Sequence, residues 1–321
     1  MFFKFLMKWV ILLTVIITIS SKSWFIYWLM MELNLLAFIP ILNLKKINNS
    51  NCMISYFIVQ SFSSSLFFIA MLIYSITNFE FFAFVMTLSM MIKLAMVPFH
   101  FWLTSLSEMF NYSSLFILLT LQKFIPLFIM SMMNLKLIII FVMISTLCSS
   151  LLMFNLKLIK KILIFSSISH QGWMISLIFM KSNFWMTYLI IYSFLIYKIT
   201  FLTIKNNFNS INNLMYSKSN FFEKISFSML IFSLGGMPPF LGFIIKFISI
   251  IIAINMNSMI LIILIISSMM NIYIYINMIS PLLFLNTMFF KILKKNKINI
   301  KQILMNLNLL ISILLINTLM F

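Results

Sequence analysis

Residues 233–246 read SLGGMPPFLGFIIK. They interrupt an apolar run that begins near residue 224 and continues to about residue 255, long enough to cross a bilayer. Gly235, Gly236, Pro238, Pro239 and Gly242 cannot sit there as an uninterrupted helix. Proline removes a backbone donor and clashes with the preceding turn, and glycine relaxes the chain. Irregular backbone at membrane depth is tolerated where its freed carbonyls are buried in protein or line a cavity. Lys246 closes the stretch with an amine, and a charge in the bilayer core costs about 2.5–3.5 kcal/mol even on the lenient insertion scale. A broken transmembrane helix carrying a buried amine is therefore the element from which the fold is read.

A second break lies upstream at residues 93–102, KLAMVPFHFW, where Pro98 follows Lys93 by five residues. Around these two segments the chain is 64% hydrophobic and 8% charged, with a mean hydropathy of +1.16. That composition excludes a soluble globular domain. Apolar runs near 3–21, 23–43, 52–77, 80–103, 111–133, 137–155, 158–180, 184–204, 224–255, 258–281 and 303–321 predict about eleven transmembrane helices. Helix type follows because backbone amides in lipid must be satisfied within the segment or in a closed barrel. The continuous apolar runs lack the alternation a barrel strand shows. The breaks fall in helices four and nine, at matching places in two sets of five. An inverted repeat is predicted, with repeat one at about 1–133, repeat two at about 137–281 and an extra helix at about 303–321. The fold class is an all-α polytopic membrane protein forming one domain.

The formal net charge of +18 raises the question of nucleic acid, and that reading fails. All 22 basic residues are lysine, mostly in short loops, where they report topology rather than a binding face. Loop lysines from Lys4 to Lys301 concentrate on one side, leaving Lys22, Lys136 and Lys181 on the other. The N-terminus is thereby placed on the synthesis side and Phe321 across the membrane. The opening MFFKFLMKWVILLTVIITISS imitates a secretory signal but reads as a first transmembrane helix, since no soluble mature domain follows. Cys52 and Cys148 stand alone, without metal-ligand or disulfide spacing.

Four ionisable side chains lie deep in apolar runs: Glu32, Lys93, Lys123 and Lys246. Groups at that depth face protein or water and mark ion or proton paths. Glu32, in WLMMELNLLAFIP, has two readings: a neutral acid hydrogen-bonded within the bundle, or the partner of an embedded lysine. At about 4 Å and an effective dielectric of 20 such a pair gains about 4 kcal/mol. Each lysine also has a snorkelling alternative, and for Lys198 that is the favoured reading, because Lys205 and the basic loop are one to two turns away. His100 fits a structural bond to freed carbonyls. His170, in FSSISHQGW, lies beside Ser166, Ser167 and Ser169, a polar stripe that either holds water for proton transfer or bridges helices. Glu80, Glu108 and Glu223 lie at helix ends or loops, where solvation accounts for them.

Taken in order, WLMMELNLLAFIPIL, KLAMVPFHFW, LTLQKFIPL, KKILIFSSISHQGWM and SLGGMPPFLGFIIK resemble the NADH-ubiquinone oxidoreductase chain 2 family. These are the antiporter-like membrane subunits of mitochondrial respiratory complex I, and the composition looks like an insect version. The departures are Ala95 where a glycine is usual, Leu121 for a tryptophan, Lys160 for an arginine, and Leu152-Met153 for a glycine pair. The resemblance implies a proton-translocating subunit of NADH:ubiquinone reductase in the mitochondrial inner membrane, with the N-terminus in the matrix and the C-terminus in the intermembrane space. Glu32 and Lys93 fall on a pair whose separation releases a proton from Lys93 to Lys123, then to or from Lys246. It also implies no redox cofactor on this chain, since NAD, FMN, iron–sulfur clusters and ubiquinone belong to other subunits. Implied partners are the complex I membrane subunits chain 4 and chain 4L, the lateral helix of chain 5, accessory subunits and lipids such as cardiolipin, with no nucleic acid. Three rivals stand beside it: a free-standing cation/proton antiporter of the same fold, an aromatic-rich receptor, and a structural membrane subunit with inert charges.

Overall fold

The computed structural model describes residues 2–42, 48–133, 138–216, 221–254 and 258–289. The predicted last helix at 303–321, the loop lysines Lys45, Lys46, Lys136 and Lys218, and those from Lys291 to Lys301 lie outside the described residues. Among the described residues the chain forms helices with no strand beyond one bridge pair, Leu158 with Ser210. In order these are α1 (Phe2–Ser20), α2 (Trp24–Leu42), α3 (Asn48–Thr77), α4 (Glu80–Leu94), α5 (Phe101–Leu106), α6 (Tyr112–Leu119) and α7 (Leu121–Ser131). There follow α8 (Ile138–Met153), α9 (Ile159–Phe179), α10 (Phe184–Asn206), α11 (Ile211–Tyr216), α12 (Phe221–Gly235), α13 (Leu241–Ala253) and α14 (Ser258–Phe289). Among the described residues, seven spans are long and apolar enough to cross a membrane: α1, α2, α3, α6 with α7, α9, α10 and α14.

Both expected breaks are present, and each starts before its prolines. α4 stops at Leu94 with Ala95 left-handed at φ 56°; the Ala95 N–H bonds Ile92 O and the Met96 N–H bonds Met91 O, both at 3.1 Å. α12 stops at Gly235 in the same way: Gly236 has φ 84°, its N–H reaches Ser233 O at 3.2 Å, and the Met237 N–H reaches Phe232 O at 3.2 Å. This pair of bonds closes a helix at a left-handed residue. The two exits align residue for residue, Ala95-Met96-Val97-Pro98-Phe99 with Gly236-Met237-Pro238-Pro239-Phe240. Ala95 keeps the conformation despite its Cβ, with its methyl fully buried.

Two differences from the sequence expectation stand out. The run at 111–133 is not one continuous helix; it breaks at Thr120 (φ −120°, ψ −79°) between α6 and α7. The Thr120 hydroxyl and its own N–H both take the Phe116 carbonyl, at 2.7 and 3.1 Å, a competition that loosens the ladder. The loop between α10 and α12 also contains α11, which no apolar periodicity marked.

The chain divides into two compact units, Met1–Ser145 with Met174–Trp185, and Thr146–Trp173 with Met186–Phe321. In unit one, α2 and α3 run antiparallel with matched side chains. Trp28 packs on Phe68 at 4.5 Å between ring centroids, Ser64 bonds Glu32, and Phe38 packs on Tyr56 at 5.1 Å. α4 and α7 complete this packing. In unit two, α12 packs on both α13 and α14.

A third helix closes with the same left-handed motif at Lys181 (φ 54°), whose N–H meets Ile178 O at 2.8 Å while Ser182 N–H meets Leu177 O at 3.1 Å. The Lys181 side chain is exposed, so no packing offsets the Cβ penalty of about 1–2 kcal/mol. Lys181→Gly is expected to raise stability by about 1 kcal/mol, read as a higher midpoint in thermal unfolding of the assembled complex; a lower midpoint would contradict it.

Candidate functional site

Lys93 occupies the last turn of α4, where unpaired carbonyls give the helix end a partial negative charge. Ile92 O, already bonded by the Ala95 N–H, also accepts from the indole N–H of Trp102 at 3.1 Å. Across the α4–α7 packing, Lys123 is 5% exposed in α7. Lys93 and Lys123 line the same cavity of about 10 Å3, together with Tyr56, Gln60, Trp102 and Gln122. That volume is about what one water molecule needs.

Glu32 projects from α2 and accepts a hydrogen bond from the Ser64 hydroxyl. Glu32 and Lys93 are both half-buried. A polar relay continues beside them: Gln122 Nε2 donates to Asn34 Oδ1 at 2.8 Å, and Tyr56 Oη donates to Gln122 Oε1 at 3.4 Å. Tyr56, Gln60 and Ser64 recur every fourth residue of α3 and so share one face. That spacing inside an apolar helix was visible in the sequence, whereas nothing local marked Asn34.

In unit two, Lys246 is 7% exposed and reaches back from α13 to the end of α12, donating to Gly235 O at 2.5 Å. The amine thus satisfies a carbonyl that the helix break leaves without a partner. Gly236 is needed twice over: its φ is positive, and a Cβ there would lie 2.8 Å from Lys246 Cδ. In each unit an amine therefore sits at the C-terminal end of an interrupted helix.

His170 is buried on α9, with Nδ1 2.7 Å from Tyr188 Oη. Its serine neighbours direct their hydroxyls at carbonyls of their own helix, Ser166 to Leu163, Ser167 to Ile164 and Ser169 to Ser166, at 2.6–2.8 Å. Ser169 also bridges to α14 by accepting from Asn271 Nδ2 at 3.1 Å. The His100 ring lies tilted against that of Phe101, 4.2 Å between centroids.

Two expectations need correction. Lys198 does not snorkel toward Lys205; its amine lies 4.4 Å from the centre of the Phe194 ring, one turn in the opposite direction. Helical side chains lean toward the N-terminus, and the ring face attracts the cation. Glu223 is not a solvated helix-end acid: it is 9% exposed and ion-paired with Lys205.

Residues 21–271 match the family model of the NADH:quinone oxidoreductase/Mrp antiporter transmembrane region. A NADH-ubiquinone oxidoreductase chain 2 from Rhipicephalus sanguineus is 46% identical over 316 residues, covering 97% of this chain and 99% of that protein. The chain belongs to the NADH-ubiquinone oxidoreductase chain 2 family. Another chain 2 protein, from Anopheles gambiae, is 35% identical over 303 residues, covering 89% of this chain and 88% of the relative. Among solved structures, a chain of Thermus thermophilus respiratory complex I matches with a TM-score of 0.77 at 18% identity, covering 87% of this chain and 70% of that one. A chain of the Mrp complex from Dietzia sp. matches with a TM-score of 0.72 at 16% identity, covering 84% and 59%. At such identities the likeness shows the fold, and the chain 2 family member described here has the antiporter-like fold.

Proposed function

We propose that this chain is a proton-translocating membrane subunit of respiratory complex I, moving protons along a buried Glu/Lys series. The observation that carries this reading is the cavity shared by Lys93 and Lys123. An amine next to a water-sized cavity can pass its proton to a second amine lining the same space. Moving Glu32 away from Lys93 removes the charge that holds the proton there, and the proton passes toward Lys123. Lys246 serves unit two, held at the broken end of α12.

Electron transfer belongs to other subunits, and this chain needs no redox cofactor: NAD, FMN, iron–sulfur clusters and ubiquinone are theirs. The partners are the neighbouring membrane subunits, chain 4 and chain 4L, the lateral helix of chain 5, accessory subunits and lipids such as cardiolipin. The location is the mitochondrial inner membrane, with the N-terminus in the matrix. Eleven spans in two inverted repeats plus one extra helix fit the aligned exits at Ala95–Phe99 and Gly236–Phe240.

Glu32→Gln keeps an acceptor for Ser64 and removes the charge. In lipid vesicles holding the assembled complex, it is expected to lower the protons moved per NADH oxidised, with assembly intact. Lys93→Met should give the same loss, and the double variant no more than either alone, as for residues acting as one unit. A normal proton ratio in Glu32→Gln would count against the pair. The likeness to the Mrp chain favours a second reading, a stand-alone antiporter of the same fold. Native electrophoresis separates the two, since an obligate subunit is stable only within a large assembly.

A further inference from the structure

Lys198 sits half-buried on α10, eight residues before the helix end at Asn206. Its amine turns away from that end and lies 4.4 Å from the centre of the Phe194 ring. Phe194 is twelve residues from Asn206 and ten from Phe184. At a rise of about 1.5 Å per residue, the ring and the amine over it are near the middle of the span. Around them Ile190, Phe194, Tyr197, Phe201 and Ile204 are all exposed, at the spacing of three and four residues that forms one stripe. The rings of Tyr197 and Phe201 lie 6.5 Å apart along it. Tyr197, 54% exposed, brings a hydroxyl to this face, next to the lysine.

Exposed apolar side chains on a membrane helix suit lipid tails and a partner helix alike, so the stripe by itself decides nothing. The cation decides. A charged side chain within a span faces protein or a water-filled space, unless it reaches the headgroups by snorkelling. The Lys198 amine points toward mid-span, away from the headgroup level nearest to it, so snorkelling is excluded. A phenyl face attracts a cation by less than it costs to hold that cation in hydrocarbon. A carboxylate in contact supplies more, because attraction between opposite charges grows as the dielectric falls. The charge balance points the same way: the chain has 22 lysines and four acidic residues, so a helix complementary to this face brings the acid.

We propose that the α10 face centred on Lys198 docks a transmembrane helix of a neighbouring subunit, which sets an aspartate or glutamate against the Lys198 amine at mid-depth. The inference rests on the reading of this chain as a subunit of a larger membrane assembly. Phe194, Tyr197 and Phe201 form the aromatic bed around the ion pair and keep lipid from it. The Tyr197 hydroxyl offers the incoming helix a hydrogen bond, a contact that holds helices together in lipid. Apolar packing alone lets two helices slide and rotate against each other. A single buried ion pair fixes their register.

The test treats the unaltered complex in its own membrane with dicyclohexylcarbodiimide, a lipid-soluble reagent that joins a carboxylate to a touching amine without a spacer. The carboxylic acid adds to the carbodiimide, the deprotonated amine displaces the urea, and an amide remains. Mass spectrometry of the digest is expected to find Lys198 linked to an aspartate or glutamate of a different subunit, and Lys198→Met to lose that link. Lys198→Glu is expected to lower the yield of assembled complex severalfold on native electrophoresis, with Lys198→Arg close to normal. Should the charge-reversed chain fail to fold, the cross-link in the unaltered complex decides. A link to a glutamate of this chain's own sequence, or no link, overturns the docking surface, and so does labelling of the amine by a reagent carried on a lipid tail. If the unaltered chain migrates alone on native electrophoresis, the subunit reading fails and the docking surface falls with it. If it migrates in a large assembly with Lys198 unlinked, the docking surface alone fails.

Discussion

Methionine in place of Lys123 is expected to leave the chain folded and to stop proton translocation through it. Lys123 is 5% exposed and faces the cavity it shares with Lys93. Methionine keeps an unbranched side chain and drops only the ionisable end. Removing a buried charge from a membrane domain does not lower stability through desolvation, because the charge itself costs about 2.5–3.5 kcal/mol at that depth. Structure and function therefore separate at this position. The measurement is proton uptake by vesicles against NADH oxidised, with native electrophoresis as the assembly control. Unchanged coupling in an assembled Lys123→Met complex would favour the reading in which the buried charges are inert.

Gly242→Ala is expected to have the largest effect on stability, a loss of more than about 3 kcal/mol that prevents assembly. A Cβ on Gly242 would lie 1.6 Å from the Ser233 carbonyl oxygen and 2.8 Å from its carbon. Both atoms are backbone, so α13 would have to move away from α12. That movement would also carry Lys246 off Gly235 O. Gly172→Ala is the contrast, since its Cβ would meet Thr146 Cγ2 at 1.9 Å, the end of a side chain that can turn aside. Thermal unfolding and the yield of assembled protein should rank Gly242→Ala as the more damaging. Equal tolerance of the two would contradict the close helix approach.

Much of the site was legible because lipid makes backbone satisfaction a local problem. Pro98 and the Gly235–Gly242 cluster had to interrupt their helices, and an amine within an apolar run had to find protein or water. Thr120 shows what local reading misses: α6 and α7 part there, six residues before Pro126, whereas the same hydroxyl-to-carbonyl bond at Thr200 leaves α10 continuous. Glu223 looked like a solvated end because its partner, Lys205, lies on another helix. The phenols of Tyr188, Tyr192 and Tyr275 passed as ordinary aromatic residues in helices apolar on every side.

By itself the sequence determined a helical membrane protein, the places where two helices stop, and the few ionisable side chains set deep in apolar runs. Only the tertiary structure decided that Lys93 and Lys123 share a cavity, that Lys246 turns back onto Gly235 O, and that the phenols of Tyr188 and Tyr192 close on His170. Helix formation in lipid depends on neighbours a turn away. Which side chains meet depends on the rotation of each helix about its axis, set by packing between residues far apart in the chain.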